Sequence, residues 1–478
     1  MNESAYEMVI GLETHIELKT ASKIFCSCPT TFGAEPNTQC CPVCTGMPGA
    51  LPVLNRRVVE LAIKAGLATN CSIAMVSKQD RKNYFYPDLP KAYQISQYDL
   101  PLCSGGWLDV EPDDKTSRRV RITRIHIEED AGKLIHLAGK GTLVDCNRCG
   151  VPLIEVVTEP DLRSAAEARA YLLKLRAIML YTGVSDCRMN EGSLRCDVNL
   201  SVRKKGGDAL GTRTEMKNLN SFSAVVRAIE SEFVRQVGVL EQGGEVVQET
   251  RRFDAQTGKT STMRRKEEAD DYRYFPDPDL APIVTSDQTL QRLRAQIPQL
   301  PDQRKAMYQQ RWGLSSYVAE QITCSRTMAD FFEQAAARTR YPALAAKLTV
   351  SEIFRLAQNQ EDEAPVPLAP GRLAAAADLL GDGRLNPAGC RRLLESLWQR
   401  DGDPAARVEE LDLGQISDPA VLEGYARQVL DSAPAALADY RRGKMAAFQA
   451  LMGQVMGRTG GRGDPAAVKA VLERLLEC

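Results

Sequence analysis

The chain lacks long hydrophobic runs and has almost no net charge, and the first of these shortages excludes a class of protein. No stretch approaches 18 consecutive apolar residues, so the sequence predicts no membrane-spanning helix. The first twelve residues carry two acids and no base, unlike the basic start of a signal peptide, and we expect a cytoplasmic protein. The formal net charge of -1 neither requires nor excludes an RNA partner, because one basic face can bind RNA on a neutral protein.

Several catalytic signatures are also missing. The segment AQTGKTS ends like a P-loop, but Phe253 stands where the motif requires a glycine five residues before Gly258. The sequence contains no other P-loop, no dinucleotide-binding glycine motif and no protein-kinase signature. With only 3 histidines and no recognisable nucleophile, a free-standing hydrolase is disfavoured.

The composition changes along the chain, which is long enough for several domains. Residues 1 to about 290 are rich in short β-type segments and glycine turns, whereas the rest is rich in Ala, Leu and Arg with helical periodicity. The segment 358–371 is acidic and proline-rich and predicts a linker. Asp464 and Pro465 predict the start of a final helix. The fold class is therefore α+β, with an all-α region after the first domain.

Cysteine spacing predicts a structural metal site. Of 14 cysteines, 11 lie in the first 196 residues. Disulfides are rare in a reducing cytoplasm, so close cysteine pairs indicate metal binding. Cys26 and Cys28, followed after twelve residues by Cys41 and Cys44, predict a Zn²⁺ site with four thiolates, for which Cys40 could replace Cys41. Such a closed site has no open coordination position, so we assign it no catalysis.

A second cysteine pair is less informative. Cys146 and Cys149 form a C-x-x-C motif that Cys187 and Cys196 could complete. Their spacing is irregular, which favours ordinary packed cysteines over a second metal site.

The strand VIGLETHIEL places Glu13, His15 and Glu17 on one face, because side chains in a strand alternate. Two carboxylates beside an imidazole suit a metal or acid–base site. A solvated strand face has the same pattern, so both interpretations remain open from these three residues.

Two further segments favour the metal site. ITRIHIEEDAGK carries consecutive acids after His126, and Glu155 lies inside an apolar strand. Acids in apolar strands are rarely buried unless they are paired or bind metal. Carboxylates from separate strands suit Mg²⁺, which prefers oxygen ligands. The acids that follow His126 are Glu128, Glu129 and Asp130.

A third strand has a polar face of mixed charge. In SLRCDVNLSVR, that face consists of Arg195, Asp197, Asn199, Ser201 and Arg203, a mixture that favours a cavity lining over a plain surface. The next segment adds polar side chains, namely Arg213, Glu215, Lys217 and Asn218.

Basic and aromatic residues alternate in DRKNYFYPDLPKAY. Such mixtures contact phosphate and stack on unpaired bases, but they also occur in ordinary loops. The residues concerned are Arg81, Lys82, Tyr84, Tyr86 and Lys91. A later charged loop packs the bases at 264–266 beside Asp270 and Asp271.

Long motifs occur in a fixed order along the chain: VIGLETHIELKT, FGAEPN, DRKNYFYPDLPKAYQISQYD, IHIEEDAGK, PLIEVVTEPD, EGSLRCDVNLSVR, EMKNLNSF, ETRRFD, DDYRYFPDPDL, GQISD, DYRRGK, GQVMGRTGGRGDP and VLERLL. Together they closely resemble the B subunits of aspartyl/glutamyl-tRNA amidotransferases. The resemblance covers nearly the whole chain and is loosest at about 290 to 410.

The resemblance implies an ATP-dependent carbon–nitrogen ligase that uses glutamine as amido donor. Such complexes convert Glu-tRNA(Gln) to Gln-tRNA(Gln), or Asp-tRNA(Asn) to Asn-tRNA(Asn). In this family the misacylated tRNA is held by the B subunit, which phosphorylates the side-chain carboxylate with ATP and Mg²⁺. An amidase A subunit supplies ammonia through a channel, and the heterotrimer is completed by a small C subunit.

The resemblance also implies domains and site residues. A mixed-sheet cradle domain would span 1–292, a helical domain 293–408, and a YqeY-like tRNA-binding tail 409–478. The residues that match the family's catalytic positions are Glu13, His15, Glu129, Glu155, Lys82 and Lys91, with Glu128 a less certain neighbour. Mg²⁺ ligands would be His15, Glu129 and Glu155, and structural Zn²⁺ ligands Cys26, Cys28, Cys41 and Cys44.

The tail supports an RNA partner. Residues 441–469 hold six bases and one acid, a local charge of +5 that suits an RNA backbone, although a solvated helical surface remains an alternative. A competing hypothesis for the whole chain is a zinc-containing tRNA-binding module whose catalysis a partner supplies. The choice between Glu-tRNA and Asp-tRNA substrates remains open.

Overall fold

The computed structural model describes residues 5–112, 116–137, 139–265, 272–358, 360 and 363–477, with only the backbone described at 264, 265 and 477. Of the predicted charged loop, Lys266, Asp270 and Asp271 lie outside the described residues. The chain divides into two compact units, Met1–Leu300 and Pro301–Cys478. None of the helices within the described ranges is long and apolar enough to cross a membrane.

Short strands with alternating or apolar patterns build the first unit. In the first strand, buried Ile10, Leu12 and Ile16 alternate with less buried polar residues, as the sequence predicts. The strands are β1 Tyr6–Glu17, β2 Ser72–Ile73, β3 Val76–Ser77, β4 Asp80–Asn83, β5 Tyr93–Ser96, β6 Cys103–Val110, β7 Arg118–Glu129, β8 Lys133–Leu137, β9 Gly141–Asp145, β10 Pro152–Thr158, β11 Leu194–Lys204, β12 Thr214–Lys217, β13 Glu249–Asp254, β14 Lys259–Arg265, β15 Phe275–Pro276 and β16 Ile283–Val284.

The described strands form one large mixed sheet and three small ones. The large sheet has the order β14-β13-β12-β11-β1-β10-β7-β6-β2, in which β12 and β13 are parallel and the other pairs are antiparallel. Strand β1 lies near its centre, between β10 and β11. The small sheets are β15-β4-β5, β16-β3 and β8-β9.

Helices cover one face of the large sheet and leave the other face for polar residues. Ser164 and Ser221 cap two of these helices, since each side chain accepts a hydrogen bond from a backbone N–H of the first turn. Apolar residues of the helices and of the even-numbered positions of β1 form one core. The helices of this unit are α1 Arg56–Ala68, α2 Ala165–Thr182, α3 Phe222–Glu241 and α4 Asp287–Ala295.

The described part of the second unit is helical. Asp464 caps the last helix by accepting hydrogen bonds from Ala466 and Ala467 N–H, as predicted. In the predicted linker 358–371, the described residues before 370 form neither helix nor strand, whereas its last two residues begin the helix Pro370–Gly381. The helices are α5 Pro301–Trp312, α6 Ser316–Thr323, α7 Arg326–Ala336, α8 Pro342–Leu348, α9 Phe354–Ala357 after a π-helical turn Thr349–Ile353, α10 Pro370–Gly381, α11 Pro387–Gln399, α12 Pro404–Glu410, α13 Pro419–Ser432, α14 Pro434–Arg441, α15 Met445–Arg458 and α16 Pro465–Glu477.

The end of the chain has a hydrophobic core of its own, to which α13, α15 and α16 contribute residues such as Leu422, Leu451 and Leu472. The α+β fold class is therefore confirmed. The boundaries at 293 and 409 remain a proposal.

We expect Gly106→Ala to destabilise the first unit by about 1–3 kcal/mol, because overpacking strains a filled core. A Cβ atom at Gly106 would lie 2.3 Å from Cys71 Sγ and 2.7 Å from the Thr69 carbonyl oxygen. Gly424→Ala in α13 is the control, since nothing lies within 4 Å of its Cβ and alanine favours a helix. Urea unfolding measures both variants, and an unchanged midpoint for Gly106→Ala would contradict the packing argument.

Candidate active site and metal centres

The polar face of the large sheet lines a cavity of about 580 Å³. The antiparallel register places His15 opposite Glu155 and Arg195, and Glu155 opposite His126. Side chains directly opposite in neighbouring strands lie close on the same face. The register therefore gathers imidazoles and carboxylates that are far apart in sequence.

Two histidines and two glutamates form a compact cluster in this cavity. His15 Nε2 lies 3.4 Å from Glu128 Oε1 and 3.5 Å from Glu155 Oε2. His126 Nε2 lies 3.6 Å from Glu128 Oε2 and 3.3 Å from Glu155 Oε2. Ligand atoms of His15, Glu128 and Glu155 lie within 4.8 Å of one another, close enough to share a metal ion.

The cluster is held in its charged form. Burial alone would raise the pKa of both glutamates, but contacts with His126 and His15 lower the pKa of Glu128 and Glu155 well below the usual range. Burial alone would lower the pKa of the imidazoles, but hydrogen bonds to Glu128 and Glu155 raise the pKa of His15 well above its usual value. The two carboxylates are therefore ionised at neutral pH and suited to a cation.

Glu129 does not belong to this cluster, although the sequence predicts it as a metal ligand. Successive residues of a strand point to opposite faces, so Glu128 faces the cavity and Glu129 faces the other side of β7. Glu129 forms an ion pair with Lys91, and its Oε1 accepts a hydrogen bond of 2.9 Å from Ile95 N–H. We therefore replace Glu129 by Glu128 in the proposed ligand set.

The donor set fits a divalent cation. A cation that displaced the proton of His15 would find one imidazole nitrogen and two carboxylate oxygens on three different strands, which leave coordination positions toward the cavity for water or a phosphate oxygen. This fit rests on His15, Glu128 and Glu155, which the sheet register brings together.

A second group of acids lines the same cavity. Ligand atoms of Glu13, Asp197 and Glu215 also lie within 4.8 Å of one another. Lys217 is in contact with two of them, forming a short ion pair with Asp197 and lying 3.4 Å from Glu215. Although burial would lower it, attraction to these acids raises the pKa of Lys217. The lysine thus already neutralises part of the carboxylate charge.

The polar face predicted for β11 is divided between several surroundings. Arg195 binds Asp130 at 2.6 Å and lines the cavity beside Asp197. Arg203 instead binds Glu7 at 2.8 Å, and neither of these two lines the cavity. The prediction of a cavity lining therefore holds for Arg195 and Asp197 in this cavity and for Asn199 and Ser201 in a smaller neighbouring cavity, but not for Arg203.

An aromatic rim surrounds Lys82 at the cavity. Lys82 Nζ lies 4.9 Å from the ring centre of Tyr272 and 5.8 Å from that of Tyr84. Tyr98 and Tyr274 stack with ring centres 4.4 Å apart. Although burial would lower it, attraction to Glu128 raises the pKa of Lys82. This part of the cavity wall therefore combines a positive charge with aromatic faces.

The residues of the predicted basic–aromatic segment lie in different surroundings. Arg81 lies outside the cavity lining and binds Asp277 at 2.7 Å and Asp279 at 3.1 Å. Tyr86 is also absent from the lining. Sequence reasoning missed Tyr98, Tyr272 and Tyr274, although the alternation in YRYFPD could have indicated the last two.

The four predicted zinc ligands converge. The sulfur atoms of Cys26, Cys28, Cys41 and Cys44 lie within 4.8 Å of one another, and those of Cys41 and Cys44 are 3.9 Å apart. A tetrahedron with Zn–S bonds of about 2.3 Å has edges of about 3.8 Å. A hydrogen bond from Cys26 lowers the pKa of Cys44 to about 4. Cys40 is not part of this group and donates a hydrogen bond to Asn37 O instead.

A buried lysine compensates the thiolate charge. Lys23 is fully buried, and its Nζ lies 3.5 Å from Cys44 Sγ and 2.7 Å from Gln39 O. It also donates to Cys146 O at 3.3 Å. Among the described residues, Cys146 and Cys149 join no group of three metal-binding side chains, which agrees with their interpretation as packed cysteines.

A smaller cavity of about 150 Å³ lies between the cysteine group and the Lys91–Glu129 ion pair. Gly46 belongs to the cysteine loop and adopts φ +67, and a Cβ there would lie 2.3 Å from Lys91 Cγ. The glycine therefore lets the cysteine loop pack directly against Lys91. The cysteine loop thus helps to hold Lys91 in place.

Comparisons with known proteins identify the family of the chain. The chain matches the GatB/GatE catalytic domain over residues 8–291 and the GatB domain over residues 330–476. It is 54% identical over 477 residues to the B subunit of the aspartyl/glutamyl-tRNA(Asn/Gln) amidotransferase from Caldicellulosiruptor saccharolyticus, covering 99% of each chain. It is 50% identical over 477 residues to the protein of the same name from Geobacter sulfurreducens, again covering 99% of each. The similarity therefore extends through both units.

We expect the purified chain to hold one zinc ion that is lost in the Cys41→Ser, Cys44→Ser double variant, because two thiolates cannot retain a four-cysteine site. Elemental analysis by mass spectrometry measures zinc per chain, and thermal unfolding measures the accompanying loss of stability. Cys40→Ser is the matched control and should retain zinc. A wild-type chain without zinc, or a double variant as stable as wild type, would refute the assignment.

Proposed function

Because the chain belongs to the family of aspartyl/glutamyl-tRNA amidotransferase B subunits, we propose that it binds a misacylated tRNA, Glu-tRNA(Gln) or Asp-tRNA(Asn), and activates the side-chain carboxylate with ATP. The observation that carries this proposal is the arrangement of the His15–Glu128–Glu155 group and Lys82 around one cavity. Phosphoryl transfer needs positioning and charge neutralisation more than covalent catalysis. This cavity offers both.

The side chains have separate roles in the proposed step. Glu128 and Glu155 would hold Mg²⁺ together with His15, and the bound ion would neutralise charge on phosphate oxygens. Lys82 lines the same cavity, where it would attract anionic groups, and it remains protonated since its pKa is raised. The buried partners Ser96 and His126 fix the orientation of Glu128, which accepts a hydrogen bond from Ser96 Oγ at 3.3 Å.

We further propose that ammonia reaches the activated carboxylate past Lys91 and Glu129. The support is their position: the pair borders the smaller cavity, while Glu128, the neighbour of Glu129, borders the larger one. The names of the relatives describe one component of a larger enzyme, which implies partner subunits. The proposed partners are an amidase A subunit that releases ammonia from glutamine and a small C subunit, in a cytoplasmic heterotrimer.

The RNA would contact two parts of the chain. The tyrosines around Lys82 suit stacking of unpaired bases at the acceptor end. In the tail, Arg441, Arg442, Lys444 and Arg458 are exposed. Acids outside the predicted basic segment offset part of its charge, since Asp439 lies 3.1 Å from Lys444 and Asp412 pairs with Arg462. The basic surface is therefore weaker than the sequence alone indicates.

A zinc-containing tRNA-binding module without its own chemistry is the competing function. The buried His–Glu cluster favours the enzyme, because a binding surface has no need of ionised carboxylates buried beside imidazoles. Both functions predict tRNA binding, so only the chemical step distinguishes them.

We expect His15→Ala and Glu155→Gln to lower amide formation by about 10²–10³-fold while tRNA binding persists, because each would remove a proposed Mg²⁺ ligand from the phosphoryl-transfer site. The assay uses the reconstituted heterotrimer with ATP, Mg²⁺, glutamine and each misacylated tRNA in turn.

Glu7→Gln is the matched control for this assay, since Glu7 lies on the same strand but pairs with Arg203 outside the cavity. It should retain activity. Full activity of both site variants would support the binding module and refute the enzyme.

We expect Arg441→Ala with Arg458→Ala to weaken tRNA binding and to reduce the slope of log affinity against log salt. With fewer phosphate contacts, binding releases fewer counterions from the RNA. Filter binding over a salt series measures both quantities. Arg427→Ala is the control, since Arg427 is already paired with Glu423 at 2.6 Å. Equal slopes for the variant and wild type would indicate that the tail is only a solvated surface.

A further inference from the structure

A fully buried lysine joins the cysteine loop to the turn 146–150. Lys23 is 0% exposed, and a lysine ammonium has three N–H donors and no acceptor. Its acceptors are Gln39 O at 2.7 Å, Cys146 O at 3.3 Å and Cys44 Sγ at 3.5 Å. Gln39 and Cys44 belong to the cysteine loop, whereas Cys146 begins the turn. One positive charge therefore holds two separate segments of the chain.

The two segments also pack directly on each other. Gln39 N–H donates to Asn147 Oδ1 at 2.8 Å, and Asn147 Nδ2 donates to Glu35 O at 2.7 Å. Gly150 adopts φ +78, and a Cβ atom there would lie only 3.4 Å from Cys44 Cβ. A displacement of the cysteine loop is therefore transmitted to the turn.

The turn in turn holds the residues that directly follow β7. Arg148 Nε donates to Ala131 O at 2.9 Å, and its Nη2 donates to Gly132 O at 2.8 Å. Gly150 N–H donates to Asp130 O at 3.0 Å. The backbone at 130–132 is thus fixed by donors that the turn supplies.

Asp130 carries this arrangement into the large cavity. Its Oδ1 and Oδ2 accept hydrogen bonds from Arg195 Nη1 at 3.3 Å and Nη2 at 2.6 Å. Such a paired contact fixes the plane of the guanidinium. Both side chains line the cavity, and Arg195 lies opposite His15 in the strand register. A series of contacts therefore runs from the cysteine group to the guanidinium beside His15.

Charge makes this series depend on the metal. A divalent cation with four thiolates has two negative charges in excess, and burying them is unfavourable without a positive neighbour. Lys23 supplies that neighbour. Without the thiolates, the same lysine would be a buried charge with no ionic partner. The occupied cysteine group and Lys23 therefore stabilise each other.

We propose that Lys23 is a positioning residue that makes activation of the tRNA-borne carboxylate depend on an occupied cysteine group. Lys23 holds the turn 146–150, the turn holds Asp130, and Asp130 holds Arg195 in the large cavity. The inference rests on the proposed function, because that function places the activation step in this cavity. It gives the cysteine group a role in the reaction although none of its four ligands lines the cavity.

A double-mutant cycle separates the charge of Lys23 from its packing. We expect Lys23→Met to lower the thermal unfolding midpoint of the full chain and to speed zinc release to a chelating dye by at least about tenfold, because the excess negative charge stays uncompensated. In the Cys41→Ser, Cys44→Ser background, the same substitution should leave the midpoint unchanged or raise it, because it removes an unpaired buried charge. An equal lowering in both backgrounds would mean that Lys23 only fills space, and would overturn the inference.

Two assays of the reconstituted heterotrimer measure the effect on the reaction. Release of phosphate from ATP with misacylated tRNA but no glutamine reports the activation step, and amide formation reports the whole reaction. We expect Lys23→Met to lower kcat in both by at least about tenfold with KM for the tRNA unchanged, because a displaced Arg195 misplaces reacting groups without weakening RNA binding. Lys19→Met, the same change at a nearby exposed lysine, is the matched control and should behave as wild type.

Removing zinc from the wild-type heterotrimer tests the contacts without a variant. We expect chelation to speed hydrogen–deuterium exchange in the turn 146–150, where Gly150 N–H bonds to Asp130 O, and to leave α2 unchanged. Mass spectrometry of peptides measures both segments. Unchanged exchange in the turn after zinc loss would overturn the inference.

The outcomes separate the two proposals. If the wild-type heterotrimer forms no amide product, the proposed function itself fails. If it forms product and Lys23→Met retains the wild-type kcat, this inference is refuted while the proposed function stands. If amide formation falls but phosphate release persists, Lys23 acts on the ammonia route and not through Asp130 and Arg195, which also refutes the inference.

Discussion

Burying Glu128 and Glu155 in the first unit would cost several kcal/mol per charge unless opposite charges compensate it. His15 on β1 and His126 on β7 supply that compensation, at 3.3 to 3.6 Å from the carboxylates. The strands must therefore keep one register, since a shift of one residue would move the imidazoles to the apolar face. The ion pairs of the site and the strand pairing of the sheet consequently stabilise the same strand register.

The alternation of side chains also distributes the chemistry over two sides of β7. Glu128 faces the large cavity, and Glu129 pairs with Lys91 near the cysteine group. Gly46 allows that group to pack against Lys91. A zinc ion there would have no catalytic role, yet it would fix the position of a lysine next to the proposed ammonia route.

Along β1 the same alternation orders the groups of the polar face. Gly11, Glu13 and His15 lie on one face, so a recess, an acidic group and the His–Glu cluster follow one another on a line. The helical tail has a hydrophobic core of its own and carries the proposed second contact with the RNA.

The sequence by itself determined the α+β class, the alternation of β1, the cap of the last helix and the close spacing of the predicted metal-binding cysteines. These features depend on local spacing. Motif order likewise identified the family. Tertiary structure alone decided that Glu128 and not Glu129 joins His15 and Glu155, that Arg81 binds Asp277 instead of lining the cavity, and that Lys217 neutralises distant acids. Strand register brings these partners together from positions up to 196 residues apart, and no local pattern encodes that register.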